Sequence, residues 1–135
     1  IEREVFPRLV GEGLRALLLD GYWMDIGTPE RYLQASWDIL EGRVETQVSP
    51  TEPGLLLGAG AEVAAEATVG PRAVVSAGCK VEAGATVVDS VLLDGCTVGD
   101  GARVERSILG PGARVAAGAS LADAVVGRDE MVPTP

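Results

Sequence analysis

Residues 79–104 read CKVEAGATVVDSVLLDGCTVGDGARV, and a valine or leucine recurs through them at fixed steps. Val81 and Val87 stand six apart, Leu92 comes five later, and Val98 and Val104 follow at six and six. The same register runs back through Val75, Val69, Val63 and Leu57, and forward through Leu109, Val115, Leu121 and Val126. Two positions before each of these thirteen residues lies a second register. It holds Leu55, Ala61, Ala67, Ala73, Cys79, Ala85, Ser90, Cys96, Ala102, Ser107, Ala113, Ala119 and Ala124, small in every case but the first. Between 57 and 126 no charged residue falls on either register.

One branched aliphatic and one small inward residue in each six describe a flat-faced coil. Three repeats close a turn of about 17–18 residues, and the turns stack as short parallel strands about 4.8 Å apart. Aliphatics fill the axis, small residues let the chain round the corner, and pairs such as Asp94-Gly95 and Asp100-Gly101 take the outer bends. The five-residue steps at 87–92, 104–109 and 121–126 lie seventeen apart, so they stack along one edge as a single tighter corner. This predicts a mainly β protein whose β-helix, over 55–127, makes about four turns, with 128–135 as a tail.

Composition agrees with such a core. Among 135 residues there are 18 glycines and 47% hydrophobics, but only 4% aromatics. The net charge of -9 argues against a nucleic-acid partner, which needs a basic footprint. No apolar run approaches the ~20 residues of a membrane span. The chain has no histidine, which removes His bases, Ser-His and Cys-His pairs and three-His zinc sites. Cys79 and Cys96 cannot form a four-ligand zinc site. They fall in the same small slot on adjacent turns and read as core free thiols in a reducing, cytoplasmic setting.

The first 47 residues have a different texture, mixed helix and strand. A short helix is predicted within Ile1–Val10, despite Pro7, and strands over Leu14–Leu19 and Tyr22–Ile26. Gly27-Thr28-Pro29-Glu30 is a helix start: Thr28 caps, Pro29 takes the first helical position, and Glu30 favours the positive end of the dipole. Leu33, Trp37 and Leu40 recur at helical spacing and Gly42 stops the run, giving a helix over about 29–41. Residues 48–54, with two prolines and a glycine, read as a linker. A start at Ile1 within a charged, helix-like run predicts an interior cut of a longer product.

The repeat resembles the hexapeptide repeat of left-handed parallel β-helices, and the left hand is carried by that resemblance alone, since the usual crossover rule gives a right-handed coil. Hexapeptide acyltransferases and β-helical carbonic anhydrases share the pattern, but both resemblances call for histidine. The front segment points elsewhere. The run DGYWMDIGTPERY at 20–32, preceded by IEREVFP at 1–7, resembles the end of a sugar-1-phosphate nucleotidyltransferase domain. It is most similar to mannose-1-phosphate guanylyltransferases and related glucose-1-phosphate nucleotidyltransferases, in which an α/β catalytic domain is followed by a helix and a left-handed β-helix. Residues 1–47 would then be the end of the α/β domain.

That resemblance implies an enzyme joining a nucleoside triphosphate, GTP, to a hexose 1-phosphate, mannose, with release of pyrophosphate. Its protein groups mainly position and neutralise charge. It also implies Mg2+, with Asp25 as a metal-binding carboxylate, and with Gly27 and Thr28 beside the phosphates at the start of the helix. On the residues alone, Asp25 and Thr28 equally well organise the turn into the helix. The family's G-x-G-x-R-L phosphate loop and basic clamp are absent, so no catalytic residue is assigned within the chain, which by itself should turn nothing over. The rival readings are a non-catalytic β-helix scaffold for oligomerisation and, less favoured, an acyltransferase. Arg72, Arg103, Arg106 and Arg114 look outward, towards solvent or nearby acids. A short coil has two open ends, for which the helix over 29–41, the tail or a second subunit are the available covers. Homo-oligomerisation through the β-helix follows as an expectation.

Overall fold

A computed structural model describes residues 1–134; Pro135, the last residue of the expected tail, lies outside the described residues. Its main body is a solenoid of parallel strands. The first turn carries β1 (Leu55–Leu57), β2 (Glu62–Val63) and β3 (Thr68–Val69). The second carries β4 (Ala73–Val75), β5 (Lys80–Val81) and β6 (Thr86–Val88), and the third β7 (Val91–Leu92), β8 (Thr97–Val98) and β9 (Arg103–Glu105). The fourth holds β10 (Ile108–Leu109), β11 (Arg114–Val115) and β12 (Ser120–Ala122), and the last β13 (Val125–Val126) and β14 (Met131–Val132).

The strands stack into three parallel sheets. One runs β1-β4-β7-β10-β13, the second β2-β5-β8-β11-β14, and the third β3-β6-β9-β12. The coil therefore exceeds the four turns expected, and β14 falls in the segment read as a tail. Met131 and Val132 pair with Arg114 and Val115, and Val132 packs against the core. The repeat continues there without the aliphatic-plus-small signature, because Glu130 stands in the small slot two residues before Val132, and Asp129 at φ 55° takes the bend that glycine takes in the turns before.

Both sequence registers point inward. Val75, Val87, Leu92, Val98, Val104 and Leu109 are fully buried, as are Ala73, Cys79, Ala85, Cys96 and Ala113. Each large aliphatic so buried contributes about 1.5–3 kcal/mol. The two cysteines are free; Cys79 Sγ donates to the Leu93 carbonyl and Cys96 Sγ to that of Gly110, both at 3.1 Å. The adjacent thiol and burial push Cys96 up, so it stays protonated.

Each corner has its own column of left-handed residues. Gly60, Gly78, Gly95 and Gly112 form one, with φ of 64–73°, and Gly84, Gly101 and Gly118 another. The third, at the tight corner, is built without glycine beyond its first turn: Arg72, Asp89, Arg106 and Asp123 have φ of 54, 53, 44 and 52°. An L residue there costs about 1 kcal/mol or more. Arg72 Nε donates to Asp89 at 2.7 Å, and Arg106 makes a two-pronged contact with Asp123 at 2.7 and 2.8 Å. Arginine and aspartate thus alternate up this edge.

Two helices precede the solenoid, α1 (Val5–Leu9) and α2 (Pro29–Leu40). The strands expected over Leu14–Leu19 and Tyr22–Ile26 do not form. No neighbouring strand in the described chain pairs with them, and Leu17, Leu18 and Leu19 are exposed. A lone extended run leaves its backbone groups to water and gains nothing over coil.

The helix α2 does not close an end of the coil; it lies along a flank. The reason is in the outward residues of the first sheet. Leu56, Val74, Val91, Ile108 and Val125 are in register, one per turn, all aliphatic. The other two sheets present residues such as Glu62, Lys80, Thr97 and Arg114, or Thr68, Thr86 and Arg103, at the equivalent places. An apolar outer column needs a cover, and α2 brings Leu33, Trp37 and Leu40 on one face. Arg72 stacks on the Trp37 ring at 4.4 Å from its centroid. Leu33, Trp37 and Pro29 face Ile108 and Val125 across a cavity of about 230 Å³. Val91, between these two contacts, is buried although it points out of the coil.

Candidate functional site

The turn from Tyr22 into α2 carries the residues singled out from the sequence. Thr28 is the N-cap, extended at φ -130° and ψ 155°, and its Oγ1 accepts from the Arg31 N–H at 3.3 Å. Pro29 occupies the first turn, where a missing N–H costs nothing. Glu30 sits at the same positive end. Its carboxyl is held below its ordinary value by a backbone hydrogen bond, then by Thr28.

Asp25 lies just before this cap. One carboxylate oxygen accepts from the Gly27 N–H at 3.1 Å, and the other faces Arg31 Nη1 at 3.5 Å. Its side chain is 60% exposed. A Cβ on Gly27 would meet Asp25 Oδ1 at 3.2 Å, so glycine lets the backbone close on the carboxylate. The structure thus brings Asp25, Gly27 and Thr28 together in one turn, and adds Arg31 from the first turn of the helix.

Asp25 offers a hard, accessible oxygen donor of the kind Mg2+ takes. Among the described residues, no group of three or more Asp, Glu, His or Cys assembles around it or elsewhere. A single accessible carboxylate is compatible with Mg2+, which takes as few as one or two protein carboxylates.

A second cluster lies behind the turn. Asp38 is buried, 4% exposed, in the last part of α2. Its Oδ2 accepts from the Tyr22 hydroxyl at 2.8 Å; its Oδ1 accepts from Gln34 Nε2 at 2.9 Å and Arg43 Nη1 at 3.2 Å. Burial works to raise the Asp38 carboxyl, but Tyr22, Gln34 and the Arg43 charge together outweigh it and hold it below the usual range. Burial and the bond to Asp38 push the Tyr22 hydroxyl up in turn. Sequence reading missed Asp38. The available signal is an acid four residues after Gln34, a spacing that pairs on a helix; its contact with Tyr22, across the turn, has no local signature.

Of the arginines expected to face out, three meet acids: Arg72 meets Asp89, Arg106 meets Glu105 and Asp123, and Arg103 meets Glu105 at 2.9 Å. Such pairs leave no free cationic patch on that edge.

A family model described as the GMPPB C-terminal domain matches residues 51–133, which takes in the whole solenoid. The chain belongs to the GMPPB C-terminal domain family. A mannose-1-phosphate guanylyltransferase of Mycobacterium tuberculosis is 36% identical over 108 residues, covering 64% of this chain and 30% of that protein. A probable mannose-1-phosphate guanylyltransferase 1 of Oryza sativa is 36% identical over 91 residues, or 62% and 25% of the two chains. The Schizosaccharomyces pombe mannose-1-phosphate guanyltransferase is 32% identical over 81 residues, 59% and 21%. The chain thus spans between a fifth and a third of the length of these relatives.

Proposed function

We propose that this member of the GMPPB C-terminal domain family is the carboxyl-terminal part of a nucleotidyltransferase joining GTP to mannose 1-phosphate, with release of pyrophosphate. The match over 51–133 carries this reading, and the names of the relatives supply the guanylyl group and the sugar. The capped turn at Asp25–Pro29 supports it from outside the matched region, as a strand-length segment entering a helix that docks on the solenoid. In the parent, Asp25 would hold Mg2+ together with carboxylates elsewhere and the substrate phosphates. The ion, when bound, supplies neutralisation of phosphate charge. Within this chain, Gly27 fixes the carboxylate by its N–H, Thr28 starts the helix, and the N-terminal N–H groups of α2 favour nearby phosphate. The solenoid gives the turn a rigid support and, through its ends, a surface for homo-oligomer assembly in a cytoplasmic enzyme. No helix among the described residues is long and apolar enough to cross a membrane.

Pyrophosphate release by the full-length parent, given GTP, mannose 1-phosphate and Mg2+, tests the activity. Asp25→Asn in that protein is expected to lower Mg2+-dependent turnover at least about tenfold while the solenoid stays folded. Unchanged turnover would remove Asp25 from the metal site. A full-length protein that releases no pyrophosphate favours the scaffold reading.

A further inference from the structure

We infer that Tyr22, anchored on buried Asp38, is a positioning residue for the Asp25 carboxylate. The inference rests on the metal role proposed for Asp25. Thr28 to Asp38 spans about 15 Å along α2 at 1.5 Å per residue. The hydrogen bond from the Tyr22 hydroxyl to Asp38 Oδ2, 2.8 Å, therefore requires the segment from Tyr22 to Thr28 to double back beside the helix. Asp25 stands midway along it, three residues from either anchor. Among the described residues the segment has no strand partner, and Trp23 and Ile26 are exposed. Among the described residues, the segment carrying Asp25 is thus held by the Thr28 cap on one side and the Tyr22 bond on the other, with the Gly27 N–H and Arg31 touching the carboxylate itself.

The anchor is built to stay put. Asp38 is buried within a helix and carries three donors, so its oxygens have no freedom to follow a moving strap. One residue before it, Trp37 is clamped by Arg72 of the solenoid, which ties the anchor to the rigid body. An anchor on a packed element sets a ligand's position better than a loop does.

Tyr22→Phe in the full-length parent tests this, because it removes one hydroxyl and keeps the ring. The concentration of Mg2+ at half-maximal turnover is expected to rise about three- to tenfold, with kcat at saturating Mg2+ within about twofold. Mn2+ binding, followed by electron paramagnetic resonance without turnover, is expected to weaken by the same factor, with the melting temperature shifted by no more than about 2 °C. Unchanged Mn2+ binding in folded Tyr22→Phe overturns the positioning role, as does a fall in kcat and melting temperature with metal affinity intact. Asp25→Asn measured alongside separates the two readings. If that variant also keeps full Mn2+ affinity, the metal role of Asp25 fails; if only Tyr22→Phe does, the anchor fails.

Discussion

Ser90 and Ser107 show how much one hydroxyl does at the tight corner. Ser107 N–H donates to Ser90 Oγ at 3.0 Å, and Ala124 N–H to Ser107 Oγ at 3.1 Å. Each hydroxyl in turn donates to a carbonyl two residues back, Val88 or Glu105, at 2.7 Å. The five-residue step leaves these N–H groups without a carbonyl from the turn before, and serine supplies the acceptor. Both are fully buried. Ser90→Ala therefore strands the Ser107 N–H and is expected to cost about 1–3 kcal/mol, read by urea unfolding. A loss below about 0.3 kcal/mol would show that the corner relaxes around the gap. From the sequence these serines read only as small residues; that they are acceptors depends on a neighbour seventeen residues away.

At the scale of elements, helix α2 depends on one apolar stripe meeting another. Leu33→Ala is expected to remove about 2–5 kcal/mol of docking. Amides of α2 should then exchange at least tenfold faster, while those of Val75, Leu92 and Leu109 keep their rates. Hydrogen exchange resolves the two sets, and equal acceleration in both would show that helix and coil unfold together. The coil was legible because its inner registers repeat through four turns, and α2 because Thr28, Pro29 and Glu30 announce a helix start. Where α2 docks was also written, in the outward column from Leu56 to Val125, but hidden among neighbouring core aliphatics. The segment 14–26 was misread because a strand exists only with a partner. Asp25, Gly27 and Thr28 were legible as one local turn. Tyr22 and Asp38 were not, since their contact bridges sixteen positions.

Across the whole molecule, the charged edge links stability to acidity. Hydrogen bonds from Arg106 hold the Asp123 carboxyl below its ordinary value, and those from Arg103 and then Arg106 do the same for Glu105. A carboxylate lowered in the folded state stabilises it at pH above the unfolded value, about 4, and loses that contribution as pH falls through the folded value. The thermal midpoint is therefore expected to drop below about pH 4, and less steeply in Arg106→Gln, by scanning calorimetry. A midpoint level down to pH 2.5 would show that exposed pairs contribute nothing. The same edge restricts how such a protein can lengthen. Arginine and aspartate alternate there with a period of two turns, so copying a single turn into the coil would set like charge on like. Copying two keeps every arginine beside an aspartate, and a lineage that grows by duplicating its own turns would meet least resistance at this corner when it adds them in pairs.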